Sequence, residues 1–300
     1  MNESERRLRF GGVFAATTTP FRADGSFDRD RFAEHCGWLI SEGVRGLIPN
    51  GSLGEYETLT EAERRQAVEV AASAATGTAL LVPGVSGRSA AEAAGWAGHA
   101  SDCGADAVMC LPPTSHAPSD DEVVAHFRAV AGAGLPVIVY NNPFSTRVDL
   151  TPPLLGRLAG IEGIAGVKEF SQDVRRVAQI RELAPSLEIL CGCDDLVAEA
   201  TLMGATGWIA GFVNALPGAC VRLFDLCAAG EWGEALALYR PLLPMLRWDA
   251  ATSFVQAVKV GQEEAGRYGG PVRLPRLPLE ADTEAAVRKS VRLAIEGCRR

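Results

Sequence analysis

Eight short apolar runs alternate with helix-like segments along the first two thirds of the chain, and this alternation constrains the fold more than any other feature. The runs span residues 12–17, 46–49, 79–83, 107–111, 137–140, 164–167, 188–191 and 207–209. Between them lie 28–41, 60–76, 89–103, 119–132, 151–159, 173–184 and 195–203, each opening on an Asp, Ser or Thr that can accept from the free amides of a first helical turn. Thr60-Glu61-Ala62-Glu63 has the form of a capping box, and Pro152 and Pro153 suit a helix start. Strands joined by helices through short connections run parallel. Eight such units over about 215 residues are what a (β/α)8 barrel requires. A doubly wound sheet would show a glycine-rich nucleotide turn after its first strand, and Ala15-Ala16-Thr17-Thr18-Thr19-Pro20 is not one.

After Leu216 the pattern is helical only, at 217–229, 232–246, 252–265 and 283–297, broken by Tyr268-Gly269-Gly270-Pro271 and Leu274-Pro275-Arg276-Leu277-Pro278. The first of these helices completes the eighth unit. The expected fold is therefore α/β, a TIM barrel over residues 1–229 with a C-terminal helical extension over 230–300 packed on it.

A net charge of −8 argues against a partner with a phosphate backbone, which would demand a basic face, and leaves small-molecule chemistry as the expectation. No segment reaches the roughly 20 apolar residues that cross a bilayer. The start, Met1-Asn2-Glu3-Ser4-Glu5-Arg6-Arg7, is polar and lacks a long apolar run behind it, so a cytoplasmic protein without membrane contact is expected. The eight cysteines are scattered through apolar or helical stretches and are expected to be reduced and mostly buried. Cys191-Gly192-Cys193 has no second paired cluster, and His35, His99, His116 and His126 form no short His-x-His element, so neither a metal nor a cofactor is expected.

Chemistry concentrates at three strand ends. Lys168 closes the apolar run Gly163-Ile164-Ala165-Gly166-Val167, and a lysine delivered from such an interior must find a charge partner, such as Glu169, or lose its proton and become a nucleophile. Leu135-Pro136-Val137-Ile138-Val139 ends in Tyr140, followed by Asn141-Asn142-Pro143. Gly51-Ser52-Leu53-Gly54-Glu55 follows the second run, and glycines flanking a hydroxyl residue let backbone amides hold a carboxylate without a cation. Parallel barrels assemble their sites at the carboxyl ends of the strands, the rim where all three fall.

The chain resembles the dihydrodipicolinate synthase and N-acetylneuraminate lyase family, the Schiff-base aldolases and lyases. The resemblance rests on Thr19-Pro20-Phe21, Gly51-Ser52-Leu53-Gly54-Glu55 with Leu59-Thr60-Glu61-Ala62-Glu63-Arg64, Tyr140-Asn141-Asn142-Pro143, Gly166-Val167-Lys168-Glu169, Gly192-Cys193-Asp194-Asp195 and Gly204-Ala205-Thr206-Gly207-Trp208-Ile209. It implies a cofactor-free lyase of 2-keto acids in which Lys168 forms an imine at C2 and Tyr140 moves protons. It further implies that Gly51, Ser52 and Leu53 hold the substrate carboxylate, that Ile209 and Asn142 contact the substrate, and that the protein is a homotetramer, a dimer of dimers.

Three positions depart from the biosynthetic pattern. Leu53 stands where a second threonine is usual, Ser115 where a tyrosine crosses from a neighbouring subunit, and Ser145 where an arginine anchors the distal carboxylate. Arg147 and His116 are candidates for that distal contact. The pattern is closest to the catabolic branch, which acts on keto-deoxy sugar acids, 4-hydroxy-2-oxoglutarate or pyrroline-4-hydroxy-2-carboxylate. Condensation of pyruvate with aspartate semialdehyde to 4-hydroxy-tetrahydrodipicolinate is the alternative, and a non-catalytic keto-acid-binding barrel is another. A phosphosugar enzyme would use the turns near Gly207 and Gly211 as a phosphate cradle. Glu169 reads as a structural partner, Asp194 and Asp195 as helix caps, and His35, His99 and His126 as ordinary helix residues.

Overall fold

The computed structural model describes residues 10–299, so the polar stretch at 1–7 lies outside the described residues. Eight strands, β1 (Gly12–Ala16), β2 (Gly46–Ile48), β3 (Leu80–Leu81), β4 (Val108–Cys110), β5 (Val137–Asn141), β6 (Ile164–Glu169), β7 (Glu188–Cys191) and β8 (Gly207–Ala210), form a parallel sheet in the order β3-β2-β1-β8-β7-β6-β5-β4. The gap between β3 and β4 closes through a parallel bridge between Gly84 and Met109, with Met109 N–H donating to the Pro83 carbonyl and Val85 N–H to the Met109 carbonyl, both at 2.9 Å. The result is the expected (β/α)8 barrel. β3 is shorter than the apolar run 79–83 because Pro83 has no N–H to continue a ladder.

Helices α1 (Arg29–Ser41), α2 (Glu61–Ala75), α3 (Ala90–Asp102), α4 (Asp120–Ala131), α5 (Pro143–Thr146), α6 (Pro152–Ala159), α7 (Arg175–Leu183), α8 (Val197–Leu202) and α9 (Pro217–Ala229) surround the strands. Several expected caps form: Asp28 accepts from Arg31 N, Ser89 from Glu92 N, and Thr60 and Ser119 make reciprocal capping boxes with Glu63 and Glu122. The caps expected of Asp194 and Asp195 do not form. A 3-10 turn at Asp194–Leu196 precedes α8, and neither carboxylate caps it, because the backbone there turns the Asp194 side chain inward under β8. The short α5 lies outside the expected pattern, with Pro143 in its first turn and the Asn142 side chain accepting from Ser145 N at 3.1 Å.

The extension consists of α10 (Trp232–Leu246), α11 (Phe254–Glu264) and α12 (Ala281–Cys298). α10 packs on α9 and α12, α11 packs on α12, and the 3-10 turn Arg247–Ala250 between α10 and α11 sits against the turn at Asp194–Leu196. Polar ties bind this layer to the strand ends. Thr18 Oγ1 donates to Gln262 Oε1 at 2.9 Å, Lys259 pairs with Glu55 at 2.8 Å, and Arg273 pairs with Glu63. Among the described residues no helix is long and apolar enough to cross a membrane.

Candidate active site

Successive side chains of a strand point to opposite faces, so Lys168 enters the barrel while Glu169 turns outward to the helical layer. Glu169 accepts from Asn141 Nδ2 at 3.0 Å and from Ser171 N at 2.6 Å, and burial raises its carboxyl pKa. It is a structural acceptor and not the charge partner of Lys168. Lys168 itself is 6% exposed. The β5–β6 register sets it beside Tyr140, and Nζ lies 4.4 Å from the Tyr140 ring centroid and 6.0 Å from that of Phe170. The Tyr140 hydroxyl accepts from Asn142 Nδ2 at 3.0 Å, which leaves its own proton free to be given. Gly192 makes room for the lysine stem: a Cβ there would stand 3.0 Å from Lys168 Cε and 2.8 Å from the Glu169 carbonyl oxygen.

Lys168 and Tyr140 open into a cavity of about 340 Å³. One wall is the loop Gly51, Ser52 and Leu53, whose flanks Asn50 and Glu55 take left-handed conformations with φ of 59° and 55°. Met109, Phe144, Phe170, Ala250, Ala251 and Phe254 make the walls largely apolar, and Asn142 and Ser145 add polar atoms on the β5 side. Lys168 is the only cation among the described residues that line it. Arg147 is exposed, with a φ of 59° at the end of α5, and His116 is exposed with Nε2 3.7 Å from Glu122; neither lines the cavity. Ile209 is fully buried in β8 and is also outside the lining set.

Sequence reasoning missed the part of the cavity that comes from the extension: Asp249, Ala250, Ala251, Thr252 and Phe254. It also misread Asp194. That carboxylate is fully buried and accepts from Trp208 Nε1 at 2.9 Å, from Gly211 N at 3.1 Å to each oxygen, and from Phe212 N at 2.8 Å. The amides that a phosphate cradle after β8 would need are thereby occupied. Burial raises the Asp194 pKa to about 6, against the pull of these donors. Asp249 is 7% exposed and its pKa is raised well above the ordinary range, first by burial and then by the Asp194 carboxylate. Cys191 and Cys193 are buried, Cys191 Sγ donates to the Cys193 carbonyl at 3.2 Å, and burial pushes both thiols up.

Comparison with known proteins gives a consistent picture. The profile of the dihydrodipicolinate synthetase family matches residues 9–294. A 4-hydroxy-tetrahydrodipicolinate synthase of Methanothrix thermoacetophila is 33% identical over 282 residues, 93% of this chain and 95% of that protein. The enzyme of the same name from Rhizorhabdus wittichii is 38% identical over 238 residues, 79% of this chain and 81% of its own. Among solved structures, the 4-hydroxy-tetrahydrodipicolinate synthase of Methylacidiphilum fumariolicum SolV superposes with a TM-score of 0.93 at 28% identity, covering 97% of this chain and 98% of that one. YagE, a prophage protein of the dihydrodipicolinic acid synthase family from E. coli K12 solved in complex with pyruvate, superposes with a TM-score of 0.90 at 28% identity over 96% of this chain and 99% of its own.

Proposed function

Because the chain belongs to the dihydrodipicolinate synthetase family, whose members are class I lyases that act through a lysine imine, we propose that Lys168 attacks C2 of a 2-keto acid or related cyclic imino acid and holds it as an iminium. The observation that carries this reading is the Lys168 amine set 4.4 Å from the Tyr140 ring centroid on the wall of a largely apolar cavity. Tyr140 gives its proton to the departing C2 oxygen, and the Asn142 amide holds the phenol in place. The carboxylate of the substrate lies on the Gly51-Ser52-Leu53 loop, where amides and the Ser52 hydroxyl supply donors. Residues 1–229 act as the barrel unit and 230–300 as the extension, with the left-handed Gly230 at the end of α9 marking the junction. A dimer of dimers is the assembly that goes with this reading.

The distal end of the cavity favours a catabolic member. Ser145, Phe144 and Phe254 offer no cation to a second carboxylate, and Arg147 is exposed and outside the lining. A keto-deoxy acid or a pyrroline acid suits these walls better than 4-hydroxy-2-oxoglutarate, which carries a carboxylate at both ends. The names of the relatives favour a second reading, condensation of pyruvate with aspartate semialdehyde.

Borohydride trapping with pyruvate, read by intact mass and peptide mapping, tests the chemistry. The expected adduct maps to Lys168 and disappears in Lys168→Ala. No adduct with any 2-keto acid would leave the non-catalytic keto-acid-binding barrel in its place. A turnover panel of keto-deoxy acids, the pyrroline acid, hydroxyoxoglutarate, and pyruvate with aspartate semialdehyde separates the catabolic from the biosynthetic reading.

A further inference from the structure

Two carboxyl groups meet at Gly211, and one of them borders the same cavity as Lys168. Asp194 comes from the turn after β7 and Asp249 from the turn between α10 and α11. Asp249 lies over Gly211, where a Cβ would stand 2.4 Å from its Oδ1 and 3.5 Å from Asp194 Oδ2. Tyr140 therefore reaches the lysine from the β5 side, and Asp249 borders the same cavity from the β8 side. The two carboxyl groups are not equivalent. Asp194 takes the Trp208 ring N–H and the amides of Gly211 and Phe212, which favours its charged form, whereas Asp249 takes the Asp194 amide and borders the cavity. Two adjacent buried carboxylates do not both stay ionised without a cation. When the iminium loses a C3 proton to become an enamine, its nitrogen loses its charge, and Asp249 then has reason to keep its proton.

We propose that Asp249 is a general acid that protonates the group leaving from C4 of the imine-bound substrate, so that the reaction is an elimination of water or an amine rather than a carbon–carbon cleavage. This rests on the assignment of Lys168 as the imine-forming residue. Cleavage of a 4-hydroxy acid needs a base to take the C4 hydroxyl proton, and elimination needs an acid to give one. Tyr140, having protonated the departing C2 oxygen, takes the C3 proton, and the C3–H electrons form the enamine. The enamine expels the C4 substituent, the C4–O bond breaks, and the oxygen leaves as water with the proton of Asp249. Water then hydrolyses the conjugated iminium, and the proton released restores Asp249. Burial, and after it the Asp194 carboxylate, shift the Asp249 pKa upward, the direction that favours its acid form.

The test uses 4-hydroxy-2-keto acids of five and six carbons alongside their 4-fluoro analogues, since fluoride departs without prior protonation. The wild type is expected to release water from the hydroxy acids, with the dehydrated keto acid seen by mass spectrometry. Asp249→Asn is expected to slow that release by about 10² to 10⁴, to release fluoride within about tenfold of the wild-type rate, and to keep the pyruvate adduct at Lys168. In the infrared spectrum, a band of a neutral carboxylic acid should be present in the wild type and missing in Asp249→Asn. Unchanged water loss in the variant, equal loss with both leaving groups, pyruvate plus aldehyde as the wild-type products, no product from the panel, or no such band would each overturn the proposal while the adduct leaves Lys168 standing. A wild type that forms no adduct would remove both.

Discussion

Lys259 of α11 places its ammonium 2.8 Å from the carboxylate of Glu55, and both side chains are sealed from solvent, at 2% and 0% exposure. Glu55 ends the loop that lines the cavity, so a helix beyond the barrel holds the proposed carboxylate-binding loop in shape. Arg273 N–H adds a bond to the other Glu55 oxygen at 3.1 Å, and Lys259 Nζ also donates to the Pro271 carbonyl at 2.7 Å.

Removing Lys259 leaves the buried Glu55 carboxylate with Arg276, at 3.8 Å, as its remaining ion-pair partner. Lys259→Met is expected to destabilise the protein by about 3–5 kcal/mol in urea unfolding and to raise KM for the keto acid through the loosened loop. Glu55→Gln combined with Lys259→Met should recover part of the stability. A single variant within about 0.5 kcal/mol of the wild type would show that the pair does not hold the loop.

Gly192→Ala tests whether the lysine stem needs the space beside it. The added methyl would crowd Lys168 Cε and the Glu169 carbonyl, so borohydride trapping should slow by about tenfold or more, in line with the sensitivity of attack geometry to small displacements. Trapping at the wild-type rate would show that the lysine has another path into the cavity.

Tyr140→Phe should lower turnover by about 10² to 10⁴ and leave the fold intact. Asn142→Ala removes both the amide on the phenol and the cap of α5, so a smaller fall in kcat should accompany a loss of about 1 kcal/mol in stability. Unchanged turnover in Tyr140→Phe would take the phenol out of the mechanism.

Ser145→Arg places a guanidinium at the apolar end of the cavity. Affinity for a keto acid with a second carboxylate should rise by about 1.5–3 kcal/mol, roughly 10- to 150-fold in KM. No change would show that the distal carboxylate lies elsewhere.

His35 supplies a pH prediction. Its Nε2 lies 2.8 Å from Asn214 Oδ1, and burial lowers its pKa to about 4. The unfolded chain, with an ordinary histidine pKa of about 6.5, binds the proton first. The contribution is therefore complete above pH about 6.5, falls as pH drops toward 4, and amounts to about 3 kcal/mol across that window. The difference between wild type and His35→Gln in denaturant unfolding should shrink over the same interval, and a flat difference would show that His35 titrates normally when folded.

The barrel was legible because strand-helix alternation is a local property, repeated eight times and punctuated by capping residues. That Lys168 and Tyr140 share one cavity wall was legible for the same reason, since both stand at the carboxyl ends of adjacent parallel strands. Asp249 was not, because nothing in the local sequence Arg247-Trp248-Asp249-Ala250 says that this turn folds back over Gly211. Asp194 was misread because an aspartate before a helix looks the same whether it caps that helix or turns under the sheet. Arg147 and Ser145 are two residues apart, yet the left-handed backbone at Arg147 sends it to solvent while Ser145 lines the cavity.

The seam between β3 and β4 is a short joint in the ring, since β3 offers two residues to the sheet and the closure passes through Gly84, Met109 and the Asp106 amide on the Leu81 carbonyl. Met109 also lines the cavity, so the staves of the cask are only briefly joined where its contents press on them. Amide exchange should begin at this joint, and a bulkier occupant would find room there before it strained the firmer β5–β6 side that carries Tyr140 and Lys168.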